Sequence, residues 1–164
     1  MPKPTAPTDG AALVTGASSG LGRGVALELA RCGWRVFALA RRADELAKLA
    51  TEARGLKGSI IPATADVTDR EALAAFIAKL DSQDPIALAF LNAGGNFNDP
   101  PGVQGGEGWT RTLDLNLNGL VNAYAPLLTA MRGRSKGQIA LMASLAGYVA
   151  CRSRALTGRA RRRR

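Results

Sequence analysis

Short apolar runs alternate with longer stretches in which apolar residues return every three or four positions, and this alternation fills most of the chain. The runs at 11–15, 35–40, 58–62, 86–91 and 138–142 are apolar with few interruptions, as strands buried on both faces are. The stretches at 21–32, 44–54, 69–80 and about 107–132 carry the longer, helical period. Gly33 stands where a helix C-cap belongs. Asp69 stands as an N-cap before Leu73, Phe76, Ile77 and Leu80, which share one helix face. Strands alternating with helices predict right-handed crossovers and an α/β fold, a doubly wound parallel sheet.

Composition narrows the class. At 164 residues the chain can bury one core, and with 46% hydrophobic and 5% aromatic residues it reads as neither a disordered segment nor a disulfide scaffold. No apolar stretch is long enough to span a bilayer, and residues 1–9 lack the layout of a signal peptide, so a cytoplasmic location is expected. Cys32 and Cys151 have no metal-ligand spacing and read as reduced thiols. No metal site is expected.

The net charge of +9 is unevenly placed. Residues 1–150 hold fifteen Lys and Arg against thirteen Asp and Glu, and the other seven cations are Arg152, Arg154, Arg159 and Arg161 to Arg164. The expected organisation is therefore a loose N-terminus at 1–9, one domain at 10–150 and a disordered Arg-rich tail at 151–164. Such a tail attracts polyanions, but no aromatic interleaving or reading motif accompanies it, so specific nucleic-acid binding is not expected.

The most informative segment is Thr15-Gly16-Ala17-Ser18-Ser19-Gly20-Leu21-Gly22, lying directly after the first strand and opening the first helix. Glycines there permit a tight turn and let backbone approach a pyrophosphate, to which the helix N-terminus offers free N–H groups. Further motifs follow in order: Asp66-Val67 after the third strand, Asn92-Ala93-Gly94 after the fourth, Asn116-Leu117-Asn118-Gly119 on the long helix, and Ser144-Leu145-Ala146-Gly147 after the fifth strand. Together they resemble the short-chain dehydrogenase/reductase family across most of residues 10–148, which implies a Rossmann-like sheet, here truncated after its fifth strand. The resemblance implies that Gly16, Ser18, Ser19, Gly20, Leu21, Gly22, Asp66, Val67, Asn92, Ala93 and Gly94 bind the cofactor, with Asp66 and Val67 at the adenine.

The end of the second strand bears on which cofactor. Relatives that prefer NAD carry an acidic residue there; this chain has Ala40, then Arg41 and Arg42. A carboxylate would repel a 2′-phosphate, whereas a guanidinium can bond it through two N–H groups. NADP is therefore expected in preference to NAD, with Arg41 and Arg42 added to the cofactor site. A solvated pair of loop arginines is the alternative.

The resemblance also implies hydride transfer between nicotinamide C4 and a carbonyl or alcohol carbon. A Tyr would exchange the proton, a Lys would lower its pKa, Ser144 would orient the substrate oxygen, and Asn116 would support a water path to the Lys. Positions corresponding to the Tyr-x-x-x-Lys pair fall near Thr157 and Arg161, where neither side chain can relay a proton at neutral pH. Tyr148, only four residues past Ser144, is a poor substitute. Loss of general acid–base catalysis commonly costs about 100- to 10,000-fold.

Residues 151–164 show no apolar period, and permitted codons read in another frame can spell a Tyr-x-x-x-Lys. A frameshifted or truncated reductase is the expectation, with a selected basic tail as the competing view. The family's homo-oligomer through the long helix is doubtful here, and exposed apolar residues there predict association rather than a soluble monomer. Three functions remain open: an NADP-dependent oxidoreductase acting on a small carbonyl or alcohol, a catalytically dead dinucleotide-binding fragment, and polyanion binding through the tail.

Overall fold

A computed structural model describes residues 10–97, 99 and 106–144. The expectations for the N-terminus, for the tail with Thr157 and Arg161, and for Tyr148 and Cys151 lie outside the described residues.

The chain runs through β1 (Ala11–Thr15), α1 (Gly20–Arg31), β2 (Arg35–Ala40), α2 (Ala43–Glu52), β3 (Ser59–Thr64), α3 (Arg70–Gln83) and β4 (Ile86–Leu91). There follow α4 (Glu107–Leu113), a π-helical turn (Asp114–Asn118), α5 (Gly119–Gly133) and β5 (Gln138–Leu141). All five strands are parallel and lie in the order β3-β2-β1-β4-β5. The order reverses beside β1, so a crevice opens at the C-terminal ends of β1 and β4, where such sheets bind ligands.

Two cores follow from the period-two geometry of β1 and β2. Leu13, Phe37 and Leu39 face α3 and α5 and pack with Leu73, Ile77, Leu80, Ala123, Leu127 and Met131. Ala12, Val14, Val36 and Ala38 face the other way and pack with Ala26, Leu27, Leu46 and Leu49 of α1 and α2. Because both faces are covered, β1 is buried at every position, which is why it reads as an uninterrupted apolar run.

Helix ends follow the local signals. Asp69 caps α3, its carboxylate accepting the Ala72 N–H at 3.1 Å. At the end of α1 the Gly33 N–H donates to Ala30 O and the Trp34 N–H to Leu29 O, both at 3.0 Å, with Gly33 at φ +96°. The end of α5 closes the same way without glycine: Ser135, at φ +51°, donates to Arg132 O, and the Lys136 N–H donates to Met131 O.

Two expectations need correction. The third strand covers Ser59–Thr64 rather than 58–62, because Pro62 sits inside it. Proline is tolerated in an outer strand, which β3 is among the described strands. The long helix is not uniform either. Its middle widens into the π turn, and a recurring apolar spacing of four along the segment conceals this. Trp109, Leu113, Leu117 and Val121 all lie exposed along it; Trp109 extends the expected apolar stripe, whereas Leu120, Tyr124 and Leu128 are half-buried.

Candidate functional site

The loop between β1 and α1 enters the crevice first. Gly20 has φ +57°, a conformation L side chains rarely adopt, and a Cβ placed there would meet nothing within 4 Å. Gly22 is constrained from the opposite side: its Cβ would lie 2.5 Å from both Gly16 O and the Asn92 Nδ2. The loop is thus packed tightly beneath and open above. The Ser19 hydroxyl makes no capping bond to α1, so the first-turn N–H groups keep their donors for a ligand.

Thr15 ties this loop to the next one. Its buried hydroxyl accepts the Asn92 N–H at 2.9 Å and the Ala93 N–H at 3.0 Å, holding the two chains together where β1 and β4 diverge. Thr15 opens the glycine motif, and nothing in the motif's spacing announces this tie. Asn122 of α5 was missed altogether: its amide donates to Val67 O at 3.0 Å and so fixes the turn after β3.

These ties shape a cleft of about 430 Å³ at the C-terminal ends of the strands. Gly16, Ser18, Ser19, Gly20, Leu21, Arg41, Arg42, Asp66, Val67, Asn92, Ala93 and Gly94 all line it. Of the expected cofactor residues only Gly22 is absent from the wall, and it supports the loop from below. Leu39, Ala40, Ala65 and Leu115 complete the lining. Three of these stand at or just after strand C-termini, which the crevice rule alone would have marked.

The electrostatics are local. Asp66 Oδ1 accepts from the Thr68 N–H at 3.0 Å and the Thr68 hydroxyl at 2.9 Å, while Arg41 Nη1 lies 3.6 Å from Asp66 Oδ2. Burial pushes this carboxyl up, but the Thr68 hydrogen bonds and the Arg41 guanidinium outweigh it and hold the group below the ordinary carboxylate range. Arg42 turns the other way, its Nε and Nη2 donating to Ser18 Oγ at 3.3 and 2.9 Å and Nη2 to Ser19 Oγ at 2.9 Å.

Asn116 sits in the π turn. Its Oδ1 accepts the Gly95 N–H and its Nδ2 donates to Gly95 O, both at 2.8 Å, so the side chain clamps the loop that continues from Asn92. Ser144 is exposed three residues beyond β5. Leu91 and Leu141 are register partners, and Met142 N–H donates to Leu91 O at 2.9 Å. The Ser144 segment and the Asn92 loop therefore leave the sheet side by side at one end. No helix among the described residues is long and apolar enough to cross a membrane.

A fit to a dinucleotide can be judged from the cradle itself. It offers open space above Gly20, uncapped N–H donors, two guanidinium groups and an apolar floor from Leu39, Ala40 and Ala65, and these suit a phosphate-bridged ligand with a flat base.

Known proteins agree with this geometry. The sequence profile described as short chain dehydrogenase matches residues 10–156. An uncharacterized oxidoreductase of Myxococcus xanthus is 39% identical over 142 residues, covering 84% of this chain and 54% of that protein. An actinorhodin polyketide ketoreductase solved with NADPH is 29% identical at a TM-score of 0.77, covering 88% of this chain and 56% of that one. A 3-oxoacyl acyl-carrier-protein reductase from Brucella melitensis, solved with bound NAD, is 28% identical at a TM-score of 0.75, covering 90% of this chain and 56% of that one. The chain spans about half the length of the curated relatives it matches, 56% and 54% for the first two. With the profile match, the parallel sheet order and the glycine-loop cleft in agreement, this chain belongs to the short chain dehydrogenase family.

Proposed function

We propose that the cleft binds a nicotinamide adenine dinucleotide, NADP(H) ahead of NAD(H), and that the protein serves hydride transfer between nicotinamide C4 and a small carbonyl or alcohol. One observation carries the reading: residues scattered from Gly16 to Gly94, expected on sequence grounds to touch the cofactor, converge on a single cleft. The absence of an acidic residue at Ala40 and the two arginines beside it support the phosphorylated cofactor. A solved relative with NADPH and another with NAD indicate that the scaffold accepts either.

In this reading the α1 N-terminus and the glycine loop hold the pyrophosphate, and Asp66 and Val67 border the adenine. Ser144 orients the substrate oxygen, and Asn116 keeps the loop after β4 in place. The bound nicotinamide would supply the hydride. The chain contains no Tyr-x-x-x-Lys, its tyrosines being Tyr124 and Tyr148, so the residues present bind and orient but offer no proton donor of that kind. A catalytically silent dinucleotide-binding fragment is the second reading, favoured by that same sequence fact.

Titration of the folded chain with NADPH, followed by its fluorescence, tests the binding. Saturable binding is expected, with thermal stabilisation near 2.7 kcal/mol at about 100 times Kd. A folded chain that binds neither NADPH nor NADH removes the proposal. Hydride transfer to a carbonyl panel then separates an enzyme from a silent binder.

A further inference from the structure

Val67 belongs to two environments at once. It lines the cleft, and at 5% exposure it is also part of the core that α3 and α5 share with the sheet. The turn that carries it is stiff within itself. Asp66 Oδ1 accepts from the Thr68 N–H and hydroxyl, and Asp66 O accepts the Asp69 N–H at 3.3 Å. Its tie to the sheet is thinner: the Ala65 N–H donates to Ala40 O at 3.1 Å, and β3 has a neighbour on one side only among the described strands.

The second support comes from α5. Gly119 brings the helix up to the turn, since a Cβ there would lie 2.7 Å from Val67 Cγ2. Asn122 follows three residues later on the same helix face. Its half-buried amide donates to Val67 O at 3.0 Å and, more weakly, to Thr68 O at 3.5 Å. Peptide groups are planar, so holding these two carbonyls fixes the planes on both sides of Thr68 and the turn with them. Asn122 itself is not part of the cleft wall.

We infer that Asn122, seated by the close approach at Gly119, is a positioning residue for adenine recognition and acts through Val67. The inference rests on the reading of the cleft as a dinucleotide site with Asp66 and Val67 at the base. A wall already fixed when a flat base arrives spares the cost of ordering it on binding. The effect therefore falls on any ligand that carries adenine, and it is indifferent to the rest of the dinucleotide.

The test uses the whole chain and two probes, 5′-AMP and NADPH, titrated calorimetrically where circular dichroism shows each variant folded. Asn122→Leu keeps the branched shape and removes the donor. It is expected to weaken both probes by the same factor, about 3- to 10-fold, as loss of one neutral hydrogen bond predicts. The equality is the diagnostic readout, because a general slackening of the cleft would cost NADPH, which spans it, more than 5′-AMP. Asn122→Gln retains an amide donor and should recover part of the affinity for both. Gly119→Ala drives a methyl group toward Val67 while leaving Asn122 in place, and covers the case in which Asn122→Leu folds poorly. It too should weaken 5′-AMP and NADPH by one common factor. Wild-type affinity for 5′-AMP in these variants, or a clearly larger loss for NADPH than for 5′-AMP, overturns the assignment and leaves the dinucleotide reading intact. A folded wild-type chain that binds neither probe removes both.

Discussion

At the C-terminal ends of the strands the sheet meets Gly16, Gly20, Gly22 and Gly94, short hydroxyl side chains and an open cleft. At the N-terminal ends it meets long side chains locked to one another. Arg134, just past α5, donates to both oxygens of Asp81 at 2.8 and 3.0 Å and to Ile86 O at 2.6 Å, and Asp81 in turn accepts the Ile86 N–H at 2.8 Å. Arg35 holds Asp84 nearby, Nη2 to Oδ1 at 2.7 Å. The lower end spends its polar groups on each other. The upper end leaves several directed outward, and that contrast separates a support from a receptor better than any single motif does.

The comparison breaks most sharply at Gly22. Gly22→Ala forces a Cβ to within 2.5 Å of Gly16 O, and overpacking of this kind typically costs about 1–3 kcal/mol. NADPH binding should fall beneath detection, since the displaced loop is the cleft wall. Denaturant unfolding alongside a fluorescence titration measures both, and an alanine variant that binds NADPH normally would show that the loop has slack. Arg134→Ala tests the opposite end. It strands a largely buried Asp81 and should cost about 2 kcal/mol in chemical unfolding while leaving NADPH affinity unchanged. A matching loss of affinity would mean that the two ends are coupled.

A smaller effect is expected at Ser135. A non-glycine residue at φ +51° is strained, and relief of that strain outweighs the added chain entropy, so Ser135→Gly should stabilise by about 0.5 kcal/mol in thermal unfolding. The smallest concerns Asp66. Its folded pKa lies beneath the ordinary aspartate value of 3.8, so the native state binds fewer protons than the unfolded chain there. Its contribution is fully present above that value and is lost as pH falls through the lower folded value. Because the side chain is more than a third exposed, the slope is slight, and Asp66→Asn should flatten it in acid unfolding.

Much of the upper end was legible because its chemistry is written in consecutive residues. The run from Thr15 to Gly22 fixes turn, backbone approach and helix start within a few positions, and the asparagine and aspartate motifs follow strands that are themselves plain apolar runs. What escaped was anything built from distant partners. Arg42 and Ser18 are 24 residues apart and Arg134 and Asp81 are 53 apart, and nothing local in either segment announces the other. Arg41 and Arg42 looked equivalent for the same reason. Pro62 misled the end of β3 because a sequence does not say which strand lies outermost.

The π turn at Asp114–Asn118 has a consequence for the angular phase of the long helix. Steps of four residues overshoot a full revolution of an α-helix by about 40°, so a row repeating every fourth residue winds steadily around the axis. A π turn takes more residues per revolution, and the same step there falls short. Trp109, Leu113, Leu117 and Val121 cross from one regime to the other and back, and the overshoot of the α-helical steps is offset by the shortfall in the middle. The row is thereby kept closer to a straight line than an unbroken α-helix would hold it. An unbroken α-helix of the same length would set Leu113 and Val121 about 80° apart around the axis.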